Sequence, residues 1–305
     1  MFQKAIKQEA KLRLAIAGPS GGGKTFTALT IAKTLANGGK VALVDTEHGS
    51  ASKYADLFDF DVMNIDPPFT PSRFTAAIRE AQAAGYSVVV LDSLSHAWSG
   101  QGGILDIVDQ AALKLKGNTF AAWKEGTPVY NELIDGIIRS DVHVIATMRS
   151  KQEYVQSQDE NGRKKVEKLG MAPVQREGFE YEFDIVFNMD TDNNAVVTKT
   201  RCPALSGSVI RKPDHEVAEI MKNWLHGVQV EPMTVEQARE MITSKGKKFS
   251  ELTREQLQTV IENSNFTYKQ KEAASILISA QAVIQPSELK VTDSKIATGE
   301  IDYQG

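Results

Sequence analysis

The octapeptide Gly18-Pro19-Ser20-Gly21-Gly22-Gly23-Lys24-Thr25 constrains this chain more than any other stretch. It has the form G-x-x-x-x-G-K-[ST], in which each position answers a physical need. Gly21, Gly22 and Gly23 let the backbone wrap closely around phosphate oxygens, its N–H groups turned inward and no side chains in the way. Lys24 is long enough to reach the outer phosphates of a bound nucleotide, and the Thr25 hydroxyl is placed to ligate Mg²⁺. The flanks fit as well. Leu12–Ala17 is a short apolar strand, and FTALTIAKTLAN has helical periodicity, so the loop would present phosphates to a helix N-terminus. The whole octapeptide, with Phe26 directly after it, is the candidate nucleotide-binding segment. A glycine-rich turn matching by chance is not expected to carry both flanks.

The rest of the composition bounds the setting. A chain of 305 residues can hold one large α/β domain plus a smaller unit. The net charge of −4 gives no global basic field, so any contact with nucleic acid has to use local patches. Cys202 is the lone cysteine, which excludes an internal disulfide and fits a reducing compartment. The opening MFQKAIKQEAKLRL has no signal-peptide core, and no apolar run approaches membrane-spanning length. The expectation is a cytoplasmic protein with no membrane partner.

Strand and helix patterns alternate from residue 11 to about 150, which predicts an α/β core with a mostly parallel sheet flanked by helices. The strand candidates are Leu12–Ala17, Val41–Val44, Val62–Ile65, Ser87–Leu91 and Val142–Thr147. Helices are expected over Thr25–Asn37, Pro71–Ala84 and Trp123–Arg139. After Arg149 comes a polar hairpin or loop turning at Asn161-Gly162, then strands FDIVFNMD and AVVTKTR joined by Thr191–Asn194, then a helix from Asp214 to Leu225. The pattern breaks near Gly227–Pro232. The expected organisation is an N-terminal segment 1–10, an ATPase domain 11–228, a small helical domain 233–282 and a polar, disordered tail 283–305.

Two acidic positions complete the chemistry. Ser87–Asp92 is a buried strand ending in a carboxylate, the place where nucleotide hydrolases hold the Mg²⁺ shell, so Asp92 is the expected partner of Thr25. An Asp that merely caps the next element is the plainer alternative. Val41–Val44 leads into Asp45-Thr46-Glu47-His48, an acidic cluster at the sheet edge where ligands of open α/β sheets bind. A carboxylate there can orient a water for attack on the terminal phosphate. Glu47 is the candidate base and Asp45 the fallback, unless the cluster simply caps a helix.

The phosphate loop, Asp45-Thr46-Glu47-His48 and Asp92-Ser93, in this order, resemble the ATPase core of the RecA recombinase family. The stretch DTEHGSASKYADLFDFDVMNI carries the likeness beyond the motif, and Asp-Ser at the strand end favours RecA-type cores over AAA+ machines. The opening FQKAIKQEAKLRLAIAGPSGGGKT is similar to phage-encoded members linked to single-strand annealing and recombination. The resemblance implies a RecA-like ATPase using ATP and Mg²⁺, with Lys24 and Glu47 in catalysis. It implies Lys199 and Arg201, two apart on a strand, as cations reaching the ATP of a neighbouring subunit, an effect worth roughly 10³–10⁵ in rate where it operates. A solvated basic face is the alternative for this pair. Where the family has an Asn-Gln pair that senses the terminal phosphate, this chain has Thr147 and Met148, and Met148 cannot donate that hydrogen bond. Coupling then falls to Thr147 or Arg149.

The segment 149–176 holds seven Lys/Arg against four Asp/Glu. By the resemblance it faces the filament axis, making Arg149, Lys151, Tyr154, Arg163, Lys164, Lys165 and Lys168 the candidate contacts to single-stranded DNA, through phosphate tracking and base stacking. A solvated charged hairpin explains the composition nearly as well. SLSHAWSGQGGILDIV, read as a loop, offers Trp98 and Gly100–Gly103 as a second stacking surface or Trp98 as core. Phe2-Gln-Lys-Ala5 matches a short assembly motif of some relatives. The implied partners are single-stranded DNA, further copies in a ring or filament, and a single-strand-binding protein, in a bacterial host cytoplasm. The alternative function is an ATPase that loads or remodels protein partners. A kinase is disfavoured because no arginine-rich lid is present, and a GTPase because Thr198-Lys-Thr-Arg201 has Arg where a guanine-reading Asp belongs.

Overall fold

The computed structural model describes residues 10–158, 164–226, 233–243, 246–263, 266 and 268–284, with only the backbone described for 152–158, 164–171 and 281–284. The elements run β1 (Arg13–Gly18), α1 (Lys24–Ala36), β2 (Val41–Asp45), β3 (Asp61–Asn64), α2 (Pro71–Ala83), β4 (Val88–Asp92), α3 (Ser95–Ser99), α4 (Ile104–Lys114), α5 (Thr119–Ile138) and β5 (His143–Gln158). They continue with β6 (Lys164–Pro173), β7 (Ile185–Met189), β8 (Asn194–Thr200), β9 (Val209–Arg211), α6 (His215–Leu225), α7 (Val235–Glu240), α8 (Arg254–Glu262) and α9 (Tyr268–Ile284). Chain contacts divide this into two compact units, 1–232 and 233–305.

In the first unit the strands order β3-β2-β4-β5-β1-β7-β8-β9, with β6 paired to the far part of β5. From β3 to β7 every neighbouring pair is parallel; β8 and β9 close the edge antiparallel. The fold class is therefore the expected α/β one. The central strands are continuous apolar runs because they are covered on both faces. On one face Phe74 and Ile78 of α2 and Leu133 and Ile137 of α5 pack against Val89 and Leu91 of β4 and Val144 and Ala146 of β5. On the other, α1 packs on β1, β4 and β5 and against α6, burying Ala28, Leu29, Ile31 and Ala32. Parallel strands put the C-terminal ends of β1, β2, β4 and β5 on one edge, and the segments singled out by the motifs converge there.

Three expectations need correction. The stretch read as a loop after β4 is α3 and the start of α4. Trp98 is core: it is 9% exposed and stacks on Trp123 at 5.9 Å, with Tyr130 edge-on at 6.1 Å. The glycines beside it serve close packing rather than a stacking surface; a Cβ on Gly100 would lie 2.6 Å from the His96 carbonyl and 2.7 Å from the Phe69 ring. Second, the strand expected to end at Thr147 runs on to Gln158 and pairs antiparallel with β6, so of the hairpin or loop expected after Arg149 the described residues form paired strands, as in the hairpin. The expected turn at Asn161-Gly162, Arg163, Phe2 and the tail from 285 onward lie outside the described residues. Third, α5 begins at Thr119, because Asn118 Oδ1 accepts the Ala121 N–H at 3.0 Å and starts the helix a turn earlier. The short strand β9 was not read from the sequence.

In the second unit α7, α8 and α9 enclose Phe249, Leu257, Val260, Ala273 and Leu277. Thr234 with Gln237, and Thr253 with Gln256, form capping boxes that fix where α7 and α8 begin.

At the N-terminal edge of the first unit, His143 Nδ1 accepts the Leu12 N–H at 2.9 Å. Burial pushes the imidazole down to about 4 from an ordinary 6.5, helped by the charges of Lys11 and Arg13. Above 6.5 His143 is neutral in the folded and unfolded chain alike. Between 6.5 and about 4 the unfolded chain takes up a proton that the folded chain refuses, so stability is lost as pH falls through that window. The loss is at most about 3 kcal/mol. His143→Asn keeps an acceptor that does not titrate, so urea unfolding at pH 7 and pH 4.5 should show a smaller acid-side loss in the variant. Equal losses in both proteins would mean that another group is responsible.

Candidate nucleotide-binding site

The turn from β1 into α1 is shaped by its glycines. Gly21 and Gly23 have φ of 80° and 76°, the left-handed region that side chains disfavour. A second constraint comes from the β7–β8 turn, which lies against the loop. A Cβ on Gly22 would meet the Asp190 carbonyl at 2.9 Å, and one on Gly23 would strike the Asn193 side chain. That turn is braced in its own right, Asp190 Oδ1 accepting the Asp192 and Asn194 N–H groups at 2.8 Å each. The Pro19 carbonyl accepts the Gly22 N–H at 3.2 Å and Lys24 Nζ at 2.8 Å, which folds the lysine across its own loop. Burial holds the Lys24 ammonium below its usual range, opposed by the charges of Asp92 and Glu47.

Asp92 sits at the centre of the edge, 2% exposed. Its Oδ2 accepts the Thr25 hydroxyl at 2.7 Å and its Oδ1 accepts the Thr147 hydroxyl. Burial raises its carboxyl, while the bonds from Thr147 and Thr25 pull the other way. Thr147 was expected to contact nucleotide. Instead it is fully buried and its hydroxyl is committed to Asp92. The expected metal pair, Thr25 and Asp92, is thus brought together. Among the described residues no group of three or more His, Cys, Asp or Glu side chains could hold a metal on its own. A serine-or-threonine oxygen with one carboxylate suits a hard cation that takes its remaining ligands from phosphate and water, so the pair fits Mg²⁺.

The acidic cluster after β2 divides its roles. Asp45, the fallback base, is 2% exposed, and its oxygens accept the Glu47 N–H at 2.6 Å and the Ala51 N–H at 3.1 Å. It is buried and shapes the loop, each of its oxygens holding one backbone N–H. Thr46 Oγ1 accepts the Ser93 N–H at 2.8 Å and meets His96 Nδ1 at 2.7 Å. His96 stacks on Phe69 at 4.7 Å, and burial pushes its imidazole below the usual range against the pull of Glu47. Glu47 faces the cleft. Arg149 Nε donates to its Oε1 at 2.9 Å and Nη2 to its Oε2. Burial raises the Glu47 carboxyl, but the bonds and charge of Arg149 outweigh it and hold the group below its ordinary value.

Lys24, Thr25, Glu47, Asp92 and Arg149 all line one cleft of about 1500 Å³. Phe26 lines it too, 43% exposed, with Phe58 edge-on at 5.3 Å and Tyr54 at 5.9 Å. Sequence reading missed Tyr54 and Phe58. Their signal was the four-residue spacing just after the acidic cluster, which the Phe58 N–H to Tyr54 carbonyl bond of 3.0 Å turns to one side.

Other expected residues lie elsewhere. Lys199 and Arg201 are at the opposite end of the sheet from the phosphate loop, because β8 runs antiparallel to β7. Lys199 Nζ donates to the Tyr181 carbonyl at 2.9 Å and to that of Phe183, and Arg201 pairs with Asp184 at 3.0 Å. They do not approach this chain's own phosphate loop. Arg149, expected at DNA, is committed to Glu47 inside the cleft. Of the remaining candidates, Lys151 is exposed on β5, and the backbone register sets Tyr154 opposite Lys168 and Ser157 opposite Lys165.

A glycine cradle at a helix N-terminus, a lysine over it, and a Thr–Asp pair at its mouth define a P-loop nucleotide-binding core on a parallel sheet. The sequence profile described as AAA domain matches residues 10–224, most of the chain, and the chain belongs to that family of P-loop ATPases. A comparison with curated proteins finds no match. No helix among the described residues is long and apolar enough to cross a membrane.

The Thr147 hydroxyl is the test of how Asp92 is held. Thr147→Val keeps the shape and removes a hydrogen bond to a buried carboxylate, so urea unfolding should show a loss of about 1.5–3 kcal/mol. Mg²⁺-dependent nucleotide affinity should fall with it. Unchanged stability would show that Asp92 does not depend on Thr147.

Proposed function

We propose that this protein is an ATP-hydrolysing, RecA-like protein that engages single-stranded DNA and promotes annealing or recombination, acting as a homo-oligomer. The observation that carries the reading is β5. One strand holds Thr147 against Asp92 and Arg149 against Glu47, and then leaves the cleft as one arm of the β5–β6 ladder, whose segment is rich in Lys and Arg. Events at the nucleotide and events along the ladder therefore share a continuous backbone.

In this reading ATP lies along the glycine cradle with Lys24 over its outer phosphates, and its base stacks in the aromatic corner of Phe26, Tyr54 and Phe58. Thr25 and Asp92 hold Mg²⁺, which supplies charge neutralisation at the phosphates when bound. Glu47 is the base that takes a proton from the attacking water. Lys199 and Arg201, remote from their own loop, serve the ATP of a neighbouring copy. Lys151, Tyr154, Arg163, Lys164, Lys165 and Lys168 are the proposed DNA contacts, with a single-strand-binding protein as a further partner. The second reading, an ATPase that loads or remodels a protein partner, draws on the net charge of −4 and on the separate helical unit from 233 onward.

ATP turnover by the purified chain, with and without single-stranded DNA, separates the two. Under the first reading DNA stimulates turnover several-fold, and Glu47→Gln lowers it by about 10² or more while nucleotide still binds. Turnover in wild type that ignores DNA would sink the first reading and leave the second. No turnover in wild type under any condition would sink both.

A further inference from the structure

Arg149 is anchored by its backbone, and its head reaches into the cleft. Its N–H donates to Ser95 Oγ at 3.0 Å, its carbonyl accepts the Val174 N–H at 2.7 Å, and it lies beside Gly18, the first residue of the phosphate loop, in the β1–β5 register. Its side chain is 53% exposed and lines the cleft with Lys24, Thr25 and Asp92. The guanidinium fork takes both oxygens of Glu47, one by Nε at 2.9 Å and the other by Nη2. A carboxylate gripped in this way has one lone pair of each oxygen directed at the arginine, and the charge of the guanidinium makes the group a weaker base. The same planar fork fits a phosphate equally well, and it cannot be switched off by deprotonation. The terminal phosphate of a nucleoside triphosphate carries more charge than one carboxylate, and in this cleft it would compete with Glu47 for Arg149.

We propose that Arg149 is a two-position cation, pairing either with Glu47 or with the terminal phosphate of a bound nucleoside triphosphate, so that Glu47 is released to act on water only when that phosphate is in place. The proposal rests on the reading of the cleft as an ATP site. It makes Arg149 a positioning residue for Glu47 as well as a reader of triphosphate over diphosphate. Because Arg149 opens the extended part of β5, its choice of partner is made at the root of the β5–β6 ladder.

The test is a double-mutant cycle on the full chain, titrating the non-hydrolysable β,γ-imido analogue of ATP and, separately, ADP, both with Mg²⁺. Glu47→Gln weakens the competitor for the guanidinium, so analogue affinity should rise about tenfold, the worth of one charge-assisted hydrogen bond, with ADP affinity unchanged. Arg149→Ala should lower analogue affinity by about tenfold or more and leave ADP affinity unchanged, which also certifies that the variant is folded. In the double variant the gain from Glu47→Gln should vanish. Arg149→Lys, which keeps the charge and loses the fork, should recover only part of the discrimination between analogue and ADP. A gain from Glu47→Gln that persists without Arg149, or an Arg149→Ala loss equal for analogue and ADP, would overturn the proposal while leaving the ATP site intact. Failure of wild type to bind either nucleotide would overturn the ATP reading itself and this proposal with it.

Discussion

The carboxylate of Asp92 is where three separate parts of the chain are tied together. Its two oxygens accept hydrogen bonds from the hydroxyls of Thr25 on α1 and Thr147 on β5, while its own strand, β4, lies against both β2 and β5. Leaving a charged group at 2% exposure is costly unless its lone pairs are satisfied, so each hydroxyl is a structural requirement before it is a functional one. The geometry of the edge follows. Thr25 can reach Asp92 only if α1 starts close over the sheet, and that forces the backbone before it into the tight, side-chain-free path of Gly21–Gly23. The β7–β8 turn then closes the other side of the loop through Asp190 and Asn193. The phosphate cradle is therefore built from two directions, by the buried pair beneath it and by the turn pressed against it.

Local chemistry was legible in the sequence, and contacts across the sheet were not. The glycine loop, the strand ending at Asp92, the strand leading to Glu47 and the parallel α/β core each announce themselves through a motif or a period that spans a few residues. Arg149 and Glu47 are 102 positions apart, and their pairing depends on β5 and β2 flanking β4, an order that no periodicity encodes. The same holds for Thr147, whose identity as the group bonded to Asp92 becomes visible only once β5 is known to lie between β1 and β4. Lys199 and Arg201 show a complementary limit. Their spacing marks one side of a strand, but which end of the sheet they occupy is set by the antiparallel direction of β8. Trp98 was ambiguous for a third reason, since an aromatic in a glycine-rich stretch reads alike whether it is packed under Trp123 or left open to a ligand.

Two of the cations lining the cleft, Lys24 and Arg149, give the site a particular energetic character. Lys24 Nζ rests on the Pro19 carbonyl and the Arg149 guanidinium on Glu47, so each already has a protein acceptor. On the proposed reading, phosphate binding is an exchange of partners, and its net gain is the difference between two sets of charge-assisted bonds rather than the sum of new ones. Such a site discriminates by charge and position: a ligand that brings no group able to outbid Glu47 leaves Arg149 where it is. Under the proposed exchange, hydrolysis is confined to the moment when Arg149 has changed partners, because the carboxylate proposed to accept the proton is the one set free. A cleft in which Lys24 and Arg149 stood unpaired would bind anions more indiscriminately and would leave Glu47 open to water at all times. If Glu47 and Arg149 act as proposed, the bidentate grip on Glu47 lowers affinity for a wrong ligand and idle turnover by the same contact.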